Sequence, residues 1–81
     1  MNRLRESISE IIDNYILCEQ VIRMAIINEV ESFTGLSMTF GDKQEIARLI
    51  YTHYSDKSLR MLIKVDVWNI VEKYYNYGVQ D

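Results

Sequence analysis

The sequence predicts an all-α, three-helix domain with one long N-terminal helix, assembled as a helical homodimer. Three observations predict it. The chain has 81 residues, no proline and only three glycines, which favours long uninterrupted helices over a many-turned β fold. Its apolar residues recur at helical period over most of its length. Its hydrophobic fraction is 48% and its charged fraction 26%, a globular balance, and so short a chain can build one core but not two.

Residues 3 to 33 read as the first helix. Leu4, Ile8, Ile11, Tyr15, Cys18, Ile22 and Ala25 alternate spacings of four and three, a seam at helical period. Gly35 stands where a left-handed C-cap closes such a helix. Glu29 and Glu31 run against this reading, because the helix dipole disfavours anions near a C-terminus. Either a cation offsets them or the helix ends earlier. The loop GLSMTFGD follows, and Asp42 with Glu45 three residues on forms an acidic capping box.

The second helix is expected over residues 43–54, with Ile46, Leu49, Ile50 and His53 facing inward. YSDK makes the next turn, and the third helix runs over residues 57–77, closed by Gly78. Within it, Ile63, Val65 and Val67 alternate with Lys64 and Asp66 in the manner of a half-buried strand. Helix is preferred for residues 61–71 on two grounds. Leu59, Ile63, Val67, Ile70, Tyr74 and Tyr77 hold helical spacing for about five turns. No hairpin partner is evident.

Self-association is expected from size and from spare apolar positions. An unbroken helix over residues 3–33 is about 46 Å long. A compact globule of this length is only about 30 Å across. Beside the main stripe, Leu17, Val21 and Met24 lie on a second side of the first helix. Met61, Trp68 and Tyr75, spaced by sevens and joined by Val65, do the same on the third. One intramolecular interface cannot use both stripes, so Leu17, Val21, Met24, Met61, Trp68 and Tyr75 form the predicted dimer interface. The six tyrosines add to the case, since aromatics with a polar tip are enriched at protein interfaces.

Little in the sequence points to catalysis. His53 is the only histidine and Cys18 the only cysteine. One of each cannot build a closed zinc site, and a single cysteine excludes an intrachain disulfide. His53 reads as an edge-of-core residue favoured by a helix C-terminus, and Cys18 as a buried thiol. Glu6, Glu10 and Asp13 share a helix face without the Glu-x-x-His partner of a di-iron bundle. No phosphate-binding loop, dinucleotide fingerprint, nucleophile elbow or calcium loop is present. The chain is expected to be a non-enzyme with no catalytic residue, metal or cofactor.

The net charge of −3 argues against generic phosphate binding. Charge is uneven, however. Residues 1–35 carry three basic against six acidic side chains, and residues 42–64 carry five basic against three acidic. The basic part includes the one segment with a nucleic-acid pattern. QEIARLIYTHYSDKSLRMLIKV has the outline of a helix-turn-helix, with Lys57, Arg60 and Lys64 along one side of its second helix. Against it, bulky Tyr51, Thr52, His53 and Tyr54 stand where such a turn has glycine, and the second helix is too long and too apolar. A solvated basic stripe is the preferred reading.

No signal peptide opens the chain, and Glu19, Gln20 and Arg23 interrupt its most apolar run, so a cytoplasmic protein without a membrane span is expected. The richness in Ile, Asn and Tyr suits an AT-rich genome, such as that of a phage or mobile element. The function expected is that of a small protein-binding regulator or inhibitor, dimeric, occluding a partner protein. The competing expectation is a dimeric helix-turn-helix transcriptional regulator.

Overall fold

The structure, a computed structural model, describes residues 2–14, 19–53 and 59–78. Among the described residues it is entirely helical, with four helices: α1 (Arg3–Asn14), α2 (Glu19–Thr34), α3 (Phe40–His53) and α4 (Arg60–Gly78). Residues 61–71, whose alternation also fits a strand, lie inside α4. The expected helix over residues 3–33 is two helices that pack on each other, so the three-helix count is corrected to four.

The break has a physical reason. Both α1 and α2 carry an apolar stripe, Leu4, Ile8 and Ile12 on the first and Ile22, Ile26, Val30 and Thr34 on the second. Folding back lets both stripes face one core, whereas a straight rod leaves one of them in water. At 12 and 16 residues the helices are short enough to fit the globule. The overhang that motivates dimerisation from length alone therefore does not exist. Tyr15, Leu17 and Cys18 of the apolar run lie outside the described residues, as do Tyr54 and the YSDK turn with Lys57.

Successive helices run antiparallel. α4 packs on α1, and it also touches α2 across the middle of the assembly. The result is a slab with extents of 37 × 28 × 17 Å. Ile46, Leu49 and Ile50 of α3 meet Ile63, Val67, Trp68, Val71 and Tyr74 of α4 in the core, together with Met38 from the α2–α3 loop. Every side-chain nitrogen or oxygen buried among the described residues has a hydrogen-bond partner.

The helix ends are closed by local chemistry. Asn2 caps α1 by accepting the Arg5 N–H at 3.0 Å. Gly35 adopts φ +73°, and its N–H reaches the Glu31 carbonyl at 2.9 Å, the single-bond left-handed cap expected there. Glu31 is offset as its position demands: its carboxylate accepts the Met38 N–H at 2.8 Å and lies 3.6 Å from Lys43 Nζ.

α3 begins at Phe40, three residues before the expected start, because Thr39 and not Asp42 is its cap. The Thr39 hydroxyl oxygen accepts the Asp42 N–H at 3.2 Å. Tyr74 of α4 completes this cap from across the fold. Its hydroxyl accepts the Thr39 N–H at 3.0 Å and donates to the Asp42 carboxylate. Lys73 Nζ adds a 2.8 Å ion pair to the same carboxylate. Bonding to Lys73 and then to Tyr74 holds the Asp42 carboxyl below its ordinary range, against the opposing effect of burial.

Candidate functional site

Of the three cations expected at a nucleic acid, Lys57 lies outside the described residues, and Arg60 and Lys64 have partners within the fold. The Arg60 guanidinium donates to the carbonyls of Ile12 and Asp13, at 3.4 and 3.2 Å, in the last turn of α1. Those carbonyls have no partner within their own helix, and the dipole there favours a cation. One turn along α4, Lys64 Nζ pairs with the Asp13 carboxylate at 2.8 Å, with only 21% of its side chain exposed. Arg60 and Lys64 thus staple α4 to α1. α3 and α4 also lie side by side along their length. Asp42 meets Lys73 and Tyr74 at one end, and Ile50 lies beside Ile63 at the other. A helix-turn-helix instead crosses its two helices at a wide angle.

The six residues expected at a dimer interface do not share one surface. Leu17 lies outside the described residues. Val21 and Met24 are half-exposed on the side of α2 opposite Ile22, Ile26 and Val30. Met61 is 68% exposed on α4, but Trp68 is only 6% exposed and belongs to the core. The Arg5 guanidinium lies 5.6 Å above the Trp68 ring, and Tyr75, half-buried, packs between Trp68 and Phe33. Seven residues turn a helix by two turns less about 20°, so the three lie near one side of α4, and Trp68 is buried because Arg5 of α1 covers its ring and Tyr75 packs beside it.

Two surfaces stand out in the folded molecule. One is the α2–α3 face, with two adjoining hollows that share Arg23 and Gln44, the first lined also by Arg48 and Tyr51 and the second by Met24 and Phe40. Phe40 and Tyr51 are the most exposed apolar or aromatic residues on it, at 73% and 75%. Arg48 pairs with Glu45 on the same helix, and both line the first hollow. The other surface is the groove between α1 and α4, lined by Arg5, Glu6 and Ile8 of α1 and by Met61, Lys64, Val65 and Trp68 of α4. Leu62, half-exposed, extends it.

The first surface was only partly legible. Tyr51 stands out as a tyrosine beside the second turn, and it sits on α3 away from Ile46, Leu49 and Ile50. Phe40 is hidden inside a stretch that reads as loop, because the cap that makes it helical comes partly from Tyr74, 35 residues away in sequence.

Among the described residues no three of His, Cys, Asp and Glu are placed to hold a metal ion. His53 is half-buried at the C-terminus of α3. No helix of the described residues is long and apolar enough to cross a membrane. Comparison of the chain with protein-family models, with curated proteins and with solved structures gave no match.

Proposed function

We propose that this chain is a small, non-enzymatic, cytoplasmic protein-binding regulator or inhibitor that associates with itself and acts by occluding a partner protein. The observation that carries the reading is the α2–α3 face. Phe40 and Tyr51, each about three-quarters exposed, stand there with Met24 beside Arg23 and Arg48. Tyr, Phe, Met and Arg are the residues enriched at protein interfaces, and Tyr and Arg dominate their binding energy. Ordering Phe40 or Tyr51 in water brings no folding gain, since neither belongs to the core, so their exposure is better explained by a partner than by stability.

The rival reading, a helix-turn-helix DNA-binding regulator, draws less support. Two of its three cations already have partners within the fold, and the net charge of −3 opposes approach to a phosphate backbone. The test compares two variants with the wild type. Phe40→Ala/Tyr51→Ala should keep helical content and lose the protein retained from host lysate. Arg60→Ala should lower stability and keep that protein. A salt-sensitive shift of duplex DNA, abolished by Arg60→Ala, would reverse the assignment.

A further inference from the structure

The self-association in that reading needs a surface, and the two surfaces differ in a way that assigns one. We infer that the outer face of α4, built on Met61, Leu62 and Val65, meets a second copy of this chain, and that the α2–α3 face stays free on each subunit.

Composition is the first argument. Interfaces between identical subunits are more apolar than those with transient partners, and their centres are depleted of charge. Met61, Leu62 and Val65 adjoin one another at positions i, i+1 and i+4, all between 42% and 68% exposed. Trp68 and Ile8 floor the groove beside them. The α2–α3 face carries more charge, with Glu19, Arg23, Glu31, Lys43, Glu45 and Arg48 along it, against Arg5, Glu6 and Lys64 in the α1–α4 groove.

Charge is the second. A two-fold interface brings the same patch against itself, so a charge on its rim is tolerated best where the patch also carries the opposite sign. The α1–α4 groove carries both signs, Arg5 and Lys64 with Glu6, and Lys64 is already neutralised by Asp13.

Size is the third. A stable pair needs about 800 Å² from each partner. The slab measures 37 × 28 × 17 Å, and its broad faces supply that area most readily. α2 and α4 touch across the middle, so their outer surfaces face opposite ways and centre the two broad faces. Pairing through α4 leaves Met24, Phe40 and Tyr51 pointing outward on both subunits. A dimer built this way offers two partner sites, and a dimeric partner then gains avidity without any new contact.

The inference rests on the proposed self-association and is tested by mass, separately from partner capture. Sedimentation of the full chain across the micromolar range should give a closed species of about twice 9.6 kDa. Val65→Glu, at a half-exposed position, should keep the helical signal and weaken pairing by roughly a hundredfold, because it buries an unpaired carboxylate at the seam. Met61→Glu should act in the same direction. Val21→Glu on the opposite face should leave the pair intact. A monomer at every concentration would overturn the inference. So would a dimer that Val21→Glu dissociates and Val65→Glu does not, or a mass that grows without limit, which marks head-to-tail contact between unlike faces. A monomeric protein that still captures its partner through Phe40 and Tyr51 sinks the pairing alone. A dimer that captures nothing sinks the partner reading alone.

Discussion

Where α2 gives way to α3, a run of five residues is fixed from three sides. Gly35 turns it, Glu31 takes the Met38 amide, and Tyr74 of α4 takes the Thr39 amide while bonding to Asp42. At the opposite end of the assembly, the contact between α1 and α4 depends on two long cationic side chains, Arg60 and Lys64, reaching the last turn of α1. The first joint bonds backbone amides to side chains in a partly buried setting. The second is held by flexible stems with an ion pair half in water. Bonds of the first kind are expensive to break, because they leave a desolvated group without a partner. Those of the second kind yield to water and salt at small cost. The two ends therefore differ in how much stability they hold, and in how visible they are to a reader of the sequence.

The largest expected effect is at Gly78, the last residue of α4, which lies against the end of α2. A Cβ there would fall 2.5 Å from the Thr34 Cβ and 2.6 Å from the Thr34 carbonyl oxygen. The second of these is backbone and cannot swing aside. Gly78→Ala gains up to about 1 kcal/mol of helix propensity, yet the overlap costs about 3 kcal/mol. A net loss near 2 kcal/mol should lower the melting temperature of so small a domain by about 10 °C. A variant as stable as wild type would show that this joint is looser than drawn.

Next in size is Tyr74→Phe, which deletes the hydroxyl that completes the α3 cap. The Thr39 N–H and the Asp42 carboxylate both lose a partner, at a cost of about 1.5 kcal/mol by denaturant titration. The same variant sharpens a pH effect. The folded-state pKa of Asp42 is depressed, chiefly by Lys73 and then by Tyr74. Its stabilisation is therefore complete above the usual carboxylate range and is lost as the pH falls through the depressed value. Melting temperatures should drop in acid more steeply for wild type than for Tyr74→Phe. Parallel curves would mean that the hydroxyl does not report to Asp42.

These two positions show why some of the molecule was legible and some was not. Gly35 is readable because its cap depends only on residues within one turn. The inward stripe of α3 is readable because burial of Ile46, Leu49 and Ile50 repeats at helical period. Thr39 is not, since its cap is completed by a residue 35 positions on. The break between α1 and α2 is invisible for a related reason. No glycine or proline marks it, and the apolar period continues in phase through Ile12, Ile22 and Ile26, so periodicity alone cannot distinguish one rod from two helices folded on a common core. At the candidate surfaces, exposed Met61 was legible as a spare apolar residue. Trp68 was misplaced because its cover comes from Arg5 of α1, 63 positions earlier in the chain.

The smallest expected effect is at the other end, and it separates a structural cation from a functional one. Lys64→Ala removes the 2.8 Å pair with Asp13, whose side chain is 49% exposed. Water can solvate that carboxylate once the ammonium is gone, so the loss should stay below about 1 kcal/mol and shrink further in salt. Arg60→Ala should cost slightly more, since it leaves two helix-terminal carbonyls to water rather than one carboxylate. If the cations serve only this joint, Lys64→Ala and Asp13→Asn should each destabilise slightly and be non-additive together, because either one already breaks the pair. A Lys64→Ala variant with unchanged stability and altered partner or nucleic-acid binding would return Lys64 to the surface as a recognition residue, and the contrast between the two ends would then be one of function as well as strength.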